Sequence, residues 1–377
     1  MIKPKILFIM HMPPPVHGAA MMGKYIHDSK IVNDAFECRY INPTTASSLE
    51  DIGKVGLRKL RDFYSLLIRI RRTVKEFSPD LVYFTANACG GPFYKDFFIV
   101  ELLKRMGCRV VAHYHNKGVS TRQDRWLDDC LYRHFFKGLK VILLAEALYK
   151  DVQKYVKWED VQICPNGIPE SIDYELKAER NNAVPHILFL SNLIESKGVF
   201  VLLDALKILK EKGCRFVCDF VGGETAEISA SRFEEEVNKR DLNDIAIYHG
   251  RKYGDEKMNI YKSSDIMVFP TFYHNECFPL VLLEAMQCGA ACISTDEAAV
   301  PEIIDDGQSG YIVPKESDGK PSAARLAETI EKLIVDPERC RLMGKEGRKK
   351  YEKEYTLAVF ENRITQCISN CLRTKNG

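Results

Sequence analysis

Short runs of β-branched and other apolar residues alternate along the chain with longer segments whose apolar positions recur every three to four residues. That alternation is the signature of parallel βαβ units. In the first half the short runs are Lys5–Met10, Cys38–Ile41, Leu81–Thr85, Arg109–Tyr114, Val141–Leu144 and Val161–Cys164. The second half supplies His186–Leu190, Arg215–Val221, Ile245–His249, Ile266–Pro270 and Ala291–Ser294. Each set suffices for one doubly wound parallel sheet, so the pattern predicts an α/β chain with two of them.

A polar stretch, residues 170–185, separates the two sets, and a new apolar strand opens at His186. This places a first domain at 1–172 and a second at 173–356. Helical spacing then predicts Ala323–Val335, Pro337–Glu354 and a closing helix from Leu357 to Leu372. The closing segment, about 357–377, is expected to pack back on the first domain. Another helix is predicted at 57–77, where Leu57, Leu60, Phe63, Leu67, Ile70, Val74 and Phe77 form an apolar stripe and Arg58, Arg61, Arg69, Arg72 and Lys75 lie mostly off it. Such a helix either packs one face on its own sheet or lies along an anionic membrane surface.

A length of 377 residues exceeds the usual size of one hydrophobic core and agrees with two domains. Apolar residues at 46% and charged residues at 28% exclude disordered and fibrous classes. The net charge of +2 conceals an asymmetry: residues 1–172 carry 26 Lys and Arg against 18 Asp and Glu, and the remainder carries 28 against 34. The asymmetry is either ordinary variation between domains or the mark of a basic first domain that suits an anionic lipid or acceptor. No nucleic-acid partner is expected. Thirteen cysteines, an odd number, sit mostly inside apolar runs and lack zinc-site spacing. They read as small core residues in a reducing, cytoplasmic setting. No apolar run reaches the ~18 residues that a membrane span requires, so any membrane contact is expected to be peripheral.

The segment richest in chemistry runs Pro270-Thr-Phe-Tyr-His-Asn-Glu276-Cys-Phe-Pro-Leu-Val-Leu-Leu-Glu284-Ala-Met-Gln-Cys-Gly. A strand ends at Pro270, a polar loop follows, and a helix is predicted from Leu280 to Cys288 with its proline, Pro279, at the mouth. Two glutamates eight apart on one helix would differ by ~80° around it, so Glu276 belongs in the loop and Glu284 on the helix. The amides of Leu280 and Val281, beside Phe278, would point at an anion and the helix dipole would favour a diphosphate there. Glu284 could then accept hydrogen bonds from ribose hydroxyls. Earlier in the chain, Met10-His-Met-Pro-Pro-Pro-Val-His-Gly18 follows a strand and precedes a helix, where open α/β sheets bind ligands. It is not the Gly-x-Gly-x-x-Gly of nicotinamide enzymes, and Gly18 serves either the turn or a ligand.

Taken together, Asn166-Gly167, Leu193-Ile-Glu-Ser-Lys197-Gly198, Val221-Gly222-Gly223, the Glu276-x7-Glu284 pair and Asp305-Asp-Gly307-Gln-Ser-Gly310 resemble the GT-B glycosyltransferases of family 4, also described as glycosyl transferases group 1. The resemblance implies two facing Rossmann-like domains with a cleft between them, the first binding acceptor and the second the nucleotide-sugar. It implies that Glu276 contacts hydroxyls of the donor sugar, that Glu284 holds the ribose and that Lys197 neutralises the diphosphate. His115 matches the first-domain histidine that faces the donor sugar. Two departures stand out. Ser191-Asn192 replaces a Gly-Arg pair, leaving Asn192 as a hydrogen-bond donor and Arg251 or Lys252 as the replacement cation, and Ala298-Ala299 replaces a glycine pair before Pro-Glu-Ile.

The resemblance implies a retaining transfer from a nucleotide-sugar, a UDP-sugar ahead of a GDP-sugar, to a glycan or lipid-linked acceptor in surface polysaccharide or lipopolysaccharide synthesis. No Asp-x-Asp triad stands at a strand end, so neither a metal nor any other cofactor is expected. A sugar-nucleotide epimerase or a phosphorylase would fit the same architecture, and a catalytically silent glycan-binding partner is the remaining alternative.

Overall fold

The computed structural model describes residues 3–14, 18–43, 57–170 and 184–373, with side chains from residue 60 onward in the helix Leu57–Phe77. Most of the 170–185 stretch lies outside the described residues. Chain contacts divide the protein into two units, Met1–Gly167 with Leu357–Gly377, and Ile168–Thr356. The division falls at Gly167/Ile168 because Ile168 pairs with Thr356 in a parallel bridge, and Pro169 accepts a 2.7 Å hydrogen bond from the Gln287 amide.

In the first unit the strands are β1 (Lys5–Ile9), β2 (Glu37–Ile41), β3 (Leu81–Ala86), β4 (Val110–Tyr114), β5 (Lys140–Leu143) and β6 (Val161–Ile163). They form a parallel sheet in the order β2-β1-β3-β4-β5-β6. Every residue of β3 and β4 is buried. A parallel sheet covered by helices on both faces needs apolar residues at consecutive positions, which is why these strands read as runs in the sequence. Just past β3, Asp96, buried in the second turn of the helix Gly90–Arg105, accepts from the backbone and side-chain nitrogens of Asn87 at 2.9 and 2.8 Å. Burial pushes its carboxyl up to about 6, against the pull of Lys95.

The closing helix Leu357–Arg373 completes the first unit. Phe360, Ile364, Cys367, Ile368 and Cys371 recur at helical spacing and join one apolar cluster with Ile6, Phe8, Tyr83 and Val111. Its last carbonyls, Cys371 and Leu372, accept from the Arg109 guanidinium, so a cation meets the negative end of the helix. Gln162 donates to the Cys367 carbonyl at 3.0 Å.

The second unit contains β7 (His186–Leu190), β8 (Val217–Val221), β9 (Ala246–Tyr248), β10 (Ile266–Phe269), β11 (Ala291–Thr295) and β12 (Gly310–Val313). They too are parallel, ordered β12-β11-β10-β7-β8-β9. Among the described residues the strand that the apolar pattern does not announce is β12. It is four residues long, lies at the sheet edge and has only its end residues buried.

Along the helix Leu57–Phe77 the inward stripe is Leu66, Ile70, Val74 and Phe77. Leu60, expected on that stripe, is instead 59% exposed. The buried positions repeat at four, four and three, which turns the inward face away from residue 60. No helix among the described residues is long and apolar enough to cross a membrane.

Removing the Phe360 ring would open a cavity in the first unit's core, so Phe360→Ala is expected to destabilise the protein by about 3–5 kcal/mol. Leu342→Ala, at a half-exposed helix position, should change stability by no more than about 0.5 kcal/mol. Urea unfolding of the two variants checks the contrast.

Candidate active site

In the second sheet the chain builds β7, β8 and β9 outward on one side, then returns to lay β10 on the other side of β7. The reversal between β7 and β10 is a topological switch point, and the loops leaving the carboxyl ends of those two strands flank the crevice that results. The first loop carries Asn192 and Lys197, and the second carries Glu276.

Several contacts join the two loops. Lys197 ends a short 3₁₀ turn, and Gly198 follows in the left-handed region at φ +89°. An ideal Cβ there would lie 2.2 Å from the Pro270 carbonyl oxygen, so only glycine permits this approach. The Phe272 amide donates to the Ser196 carbonyl at 2.8 Å. As a result the Lys197 ammonium reaches the Glu276 carboxylate, Nζ to Oε2 at 2.5 Å. It also sits 4.5 Å from the centre of the Tyr273 ring, a cation–π contact. Both charged side chains are largely withdrawn from solvent, at 16% and 11% exposure.

Beyond Glu276, Phe278 is buried and packs edge-on to Tyr355, 5.9 Å between ring centres. Pro279 caps the helix Leu280–Gln287 without a side-chain hydrogen bond, so Leu280 and Val281 occupy a helix start that no side chain closes. One turn in, both oxygens of Glu284 are held: Lys257 Nζ lies 2.7 Å from Oε1, and the Tyr261 hydroxyl donates to Oε2 at 2.9 Å. Tyr261 is fully buried, and burial together with the Glu284 charge raises its phenol well above the ordinary range. It therefore stays a neutral donor.

The remaining predicted residues of this unit gather on neighbouring loops. Gly222 adopts φ +155°, and a Cβ would fall 1.7 Å from the Ser191 carbonyl oxygen. Asn192 Oδ1 accepts from the Gly223 amide at 3.1 Å, so this side chain ties the β7 and β8 loops together with its oxygen. The Arg251 guanidinium lies on Gly223, whose missing Cβ makes room for it. Ala298 stands at φ +50°. It adopts the conformation that a glycine would favour there, at a cost of about 1–2 kcal/mol.

Residues 173–350 match the family model described as Glycosyl transferases group 1. The chain carries a group 1 glycosyl transferase domain. Among curated relatives, the capsular polysaccharide biosynthesis glycosyltransferase CapM of Staphylococcus aureus is 25% identical over 59% of this chain and 54% of its own length. WcaL of Salmonella typhimurium, named for colanic acid biosynthesis, is 30% identical over 65% of each. The chain thus matches between about half and two thirds of the length of these relatives. Among solved structures, HepE of Anabaena in complex with UDP superposes with a TM-score of 0.74 at 14% identity, covering 97% of this chain and 100% of that one. The fold is GT-B.

Within the group 1 domain the structure brings Lys197 and Glu276 into contact and sets Glu284 one turn into the adjoining helix. Two predicted residues belong to the other unit. Gly18 opens the exposed start of the helix Gly18–Asp28 after β1, and His115 leaves the carboxyl end of β4. The His115 ring packs against that of His113, tilted by 43° with 4.2 Å between ring centres. His113 itself is fully buried and hydrogen-bonded to the Tyr83 hydroxyl, and burial holds its imidazole well below the ordinary range. The segment after His115 is anchored by Asp151, which accepts from the amides of Gly118, Val119 and Ser120 at 2.9, 3.1 and 3.0 Å.

Lys257, Tyr261 and Tyr273 escape sequence reasoning. A Lys and a Tyr four apart share a helix face, which is a signal, but nothing local says that this face meets Glu284, 27 and 23 positions away. Among the described residues no three His, Cys, Asp or Glu side chains form a metal-holding group.

Gly198→Ala is expected to destabilise the domain well beyond the about 1–2 kcal/mol of left-handed strain alone, since it would part the Lys197 and Glu276 loops. Gly213→Ala supplies the reference. That glycine has φ +81° and nothing within 4 Å of the added carbon, so the difference between the two unfolding free energies isolates the clash with Pro270.

Proposed function

We propose that the protein is a glycosyltransferase that moves a sugar from a nucleotide-sugar donor to a glycan or lipid-linked acceptor in polysaccharide synthesis. The observation that carries this reading is the meeting of a withdrawn cation, Lys197, with Glu276 at the switch point, beside a helix start that no side chain closes. A departing nucleoside diphosphate develops negative charge. Fixed cations and oriented amides stabilise that charge best in a site screened from water.

In this reading Lys197 and the amides of Leu280 and Val281 receive the diphosphate, with Arg251 and the Asn192 amide available at its edge. Glu284 accepts from the ribose hydroxyls, its direction fixed by Tyr261 and Lys257. Glu276 contacts hydroxyls of the transferred sugar. The acceptor hydroxyl attacks on the face that the diphosphate leaves and passes its proton to a phosphate oxygen, so configuration is retained without a side-chain nucleophile or a divalent ion. The UDP named in the HepE complex favours a UDP-sugar over a GDP-sugar, and the names of CapM and WcaL favour a surface polysaccharide.

Thermal shift with UDP, GDP and ADP should single out one nucleotide, because a ligand at ~100 times its Kd adds about 2.7 kcal/mol of stability. Glu284→Ala should weaken that nucleotide roughly tenfold or more, as expected for the loss of a charged hydrogen-bond acceptor, and turnover should persist in excess EDTA. Equal nucleotide affinity in wild type and Glu284→Ala would remove the ribose assignment. EDTA inactivation reversed by Mg²⁺ or Mn²⁺ would remove the metal-free mechanism.

The helix Leu57–Phe77 supports peripheral attachment to an anionic membrane. Opposite its buried stripe, Leu60, Tyr64 and Ile68 lie one above another at 59%, 66% and 52% exposure. Arg71, Arg72 and Lys75 continue that exposed face for two further turns, Arg72 paired with Glu76 at 2.6 Å. An apolar patch followed by cations suits a bilayer interface, where each basic side chain contributes about 1 kcal/mol. Sedimentation with phosphatidylserine-containing vesicles should fall on Leu60→Ser/Tyr64→Ser/Ile68→Ser and on raising salt, while neutral vesicles bind little. Undiminished sedimentation of the triple variant would leave the helix with a packing role only.

A further inference from the structure

The two residues assigned to different parts of the donor, Lys197 to the diphosphate and Glu276 to the sugar, are bound to each other. Their contact is not a loose surface pair. The ammonium is 2.5 Å from the carboxylate, both groups are mostly withdrawn from solvent, and the Tyr273 ring covers the lysine. Both loops are pinned, by the Gly198 approach to Pro270, by the bond from Phe272 to Ser196 and by the Glu276 amide donating to the Tyr273 carbonyl at 2.8 Å. The backbone therefore keeps the two side chains within reach of each other. An incoming diphosphate therefore competes with a carboxylate already seated on its cation.

Resting on the donor-site reading above, we propose that Glu276 sets the preference of the site for a sugar-bearing nucleotide over the bare nucleoside diphosphate. A sugar offers Glu276 hydroxyl donors in exchange for Lys197, so a complete donor releases the cation to the diphosphate. A bare diphosphate offers no such exchange and must displace the carboxylate outright. Once the sugar has moved to the acceptor, Glu276 loses its hydroxyl partners and returns to Lys197, loosening the product. One carboxylate thus both holds the substrate and helps expel what remains of it. A binding-competent state that is populated only part of the time lowers apparent affinity by that fraction, and here the competent state is Lys197 free of Glu276.

The test compares UDP and GDP with their glucose conjugates by calorimetry on wild type, Glu276→Gln and Glu276→Ala. If Lys197 is free about a tenth of the time, each variant should bind the bare diphosphate roughly tenfold more tightly, with slower release in stopped flow. The preference for the conjugate should collapse. Using two substitutions guards against one that folds poorly, and circular dichroism checks both. Bare-diphosphate affinity that is unchanged or weaker in both variants overturns the proposal. Lys197→Met separates this outcome from failure of the underlying reading. If Lys197→Met weakens the diphosphate while the Glu276 variants leave it unchanged, the donor site stands and the competition does not. If Lys197→Met leaves it unchanged too, the cation does not meet the diphosphate and the donor-site reading falls with the proposal.

Discussion

The reversal of strand order between β7 and β10 is the constraint on which the rest of the second unit depends. Two parallel strands side by side send their loops off the same edge, and only at a reversal do those loops turn to opposite faces and leave a crevice. Everything assigned a chemical role in this unit leaves the sheet at that edge. The backbone rather than the side chains first brings Lys197 near Glu276, since Gly198 can lie against the Pro270 carbonyl only for want of a Cβ. The ion pair follows from that approach.

Support from behind is as specific as the contacts in front. Tyr261 and Lys257 grip both oxygens of Glu284, and Asp151 gathers three successive amides next to His115. In each case a side chain that would swing freely on an exposed helix or loop is given one direction. That arrangement spends conformational entropy during folding rather than during binding, the condition under which polar groups contribute most to affinity.

Much of this architecture was legible in the sequence because parallel strands buried on both faces must be apolar throughout. β3, β4, β10 and β11 announce themselves as runs for that reason. β12 does not, being a short edge strand with two partly exposed residues. The helix Leu57–Phe77 was legible as a helix but not in its orientation: apolar side chains occupy both its buried face and much of its exposed one, so composition could not say which stripe turns inward. At the candidate site, Glu276 and Glu284 are marked by their place around a strand end and a helix start. Lys257 and Tyr261 are not, because a grip between separate helices leaves no local trace. Ala298 shows a different limit. Its sequence suggests a loop stiffer than a glycine pair would give, yet the backbone keeps a left-handed turn there all the same.

The return of Leu357–Arg373 to the first unit also orders events during synthesis. The second unit is one continuous stretch, Ile168–Thr356, and has all its strands once that stretch has left the ribosome. The first unit is made earlier but lacks Phe360, Ile364 and Ile368 until the final residues emerge. Domains usually fold as units in the order they are made. Here the unit translated first is the last that can close its core, and its sheet must wait, partly uncovered, while the whole of its neighbour is made. The nascent chain therefore has reason to engage a chaperone on the first unit's bare face, and a ribosome stalled before Leu357 would release a finished second unit beside an unfinished first one.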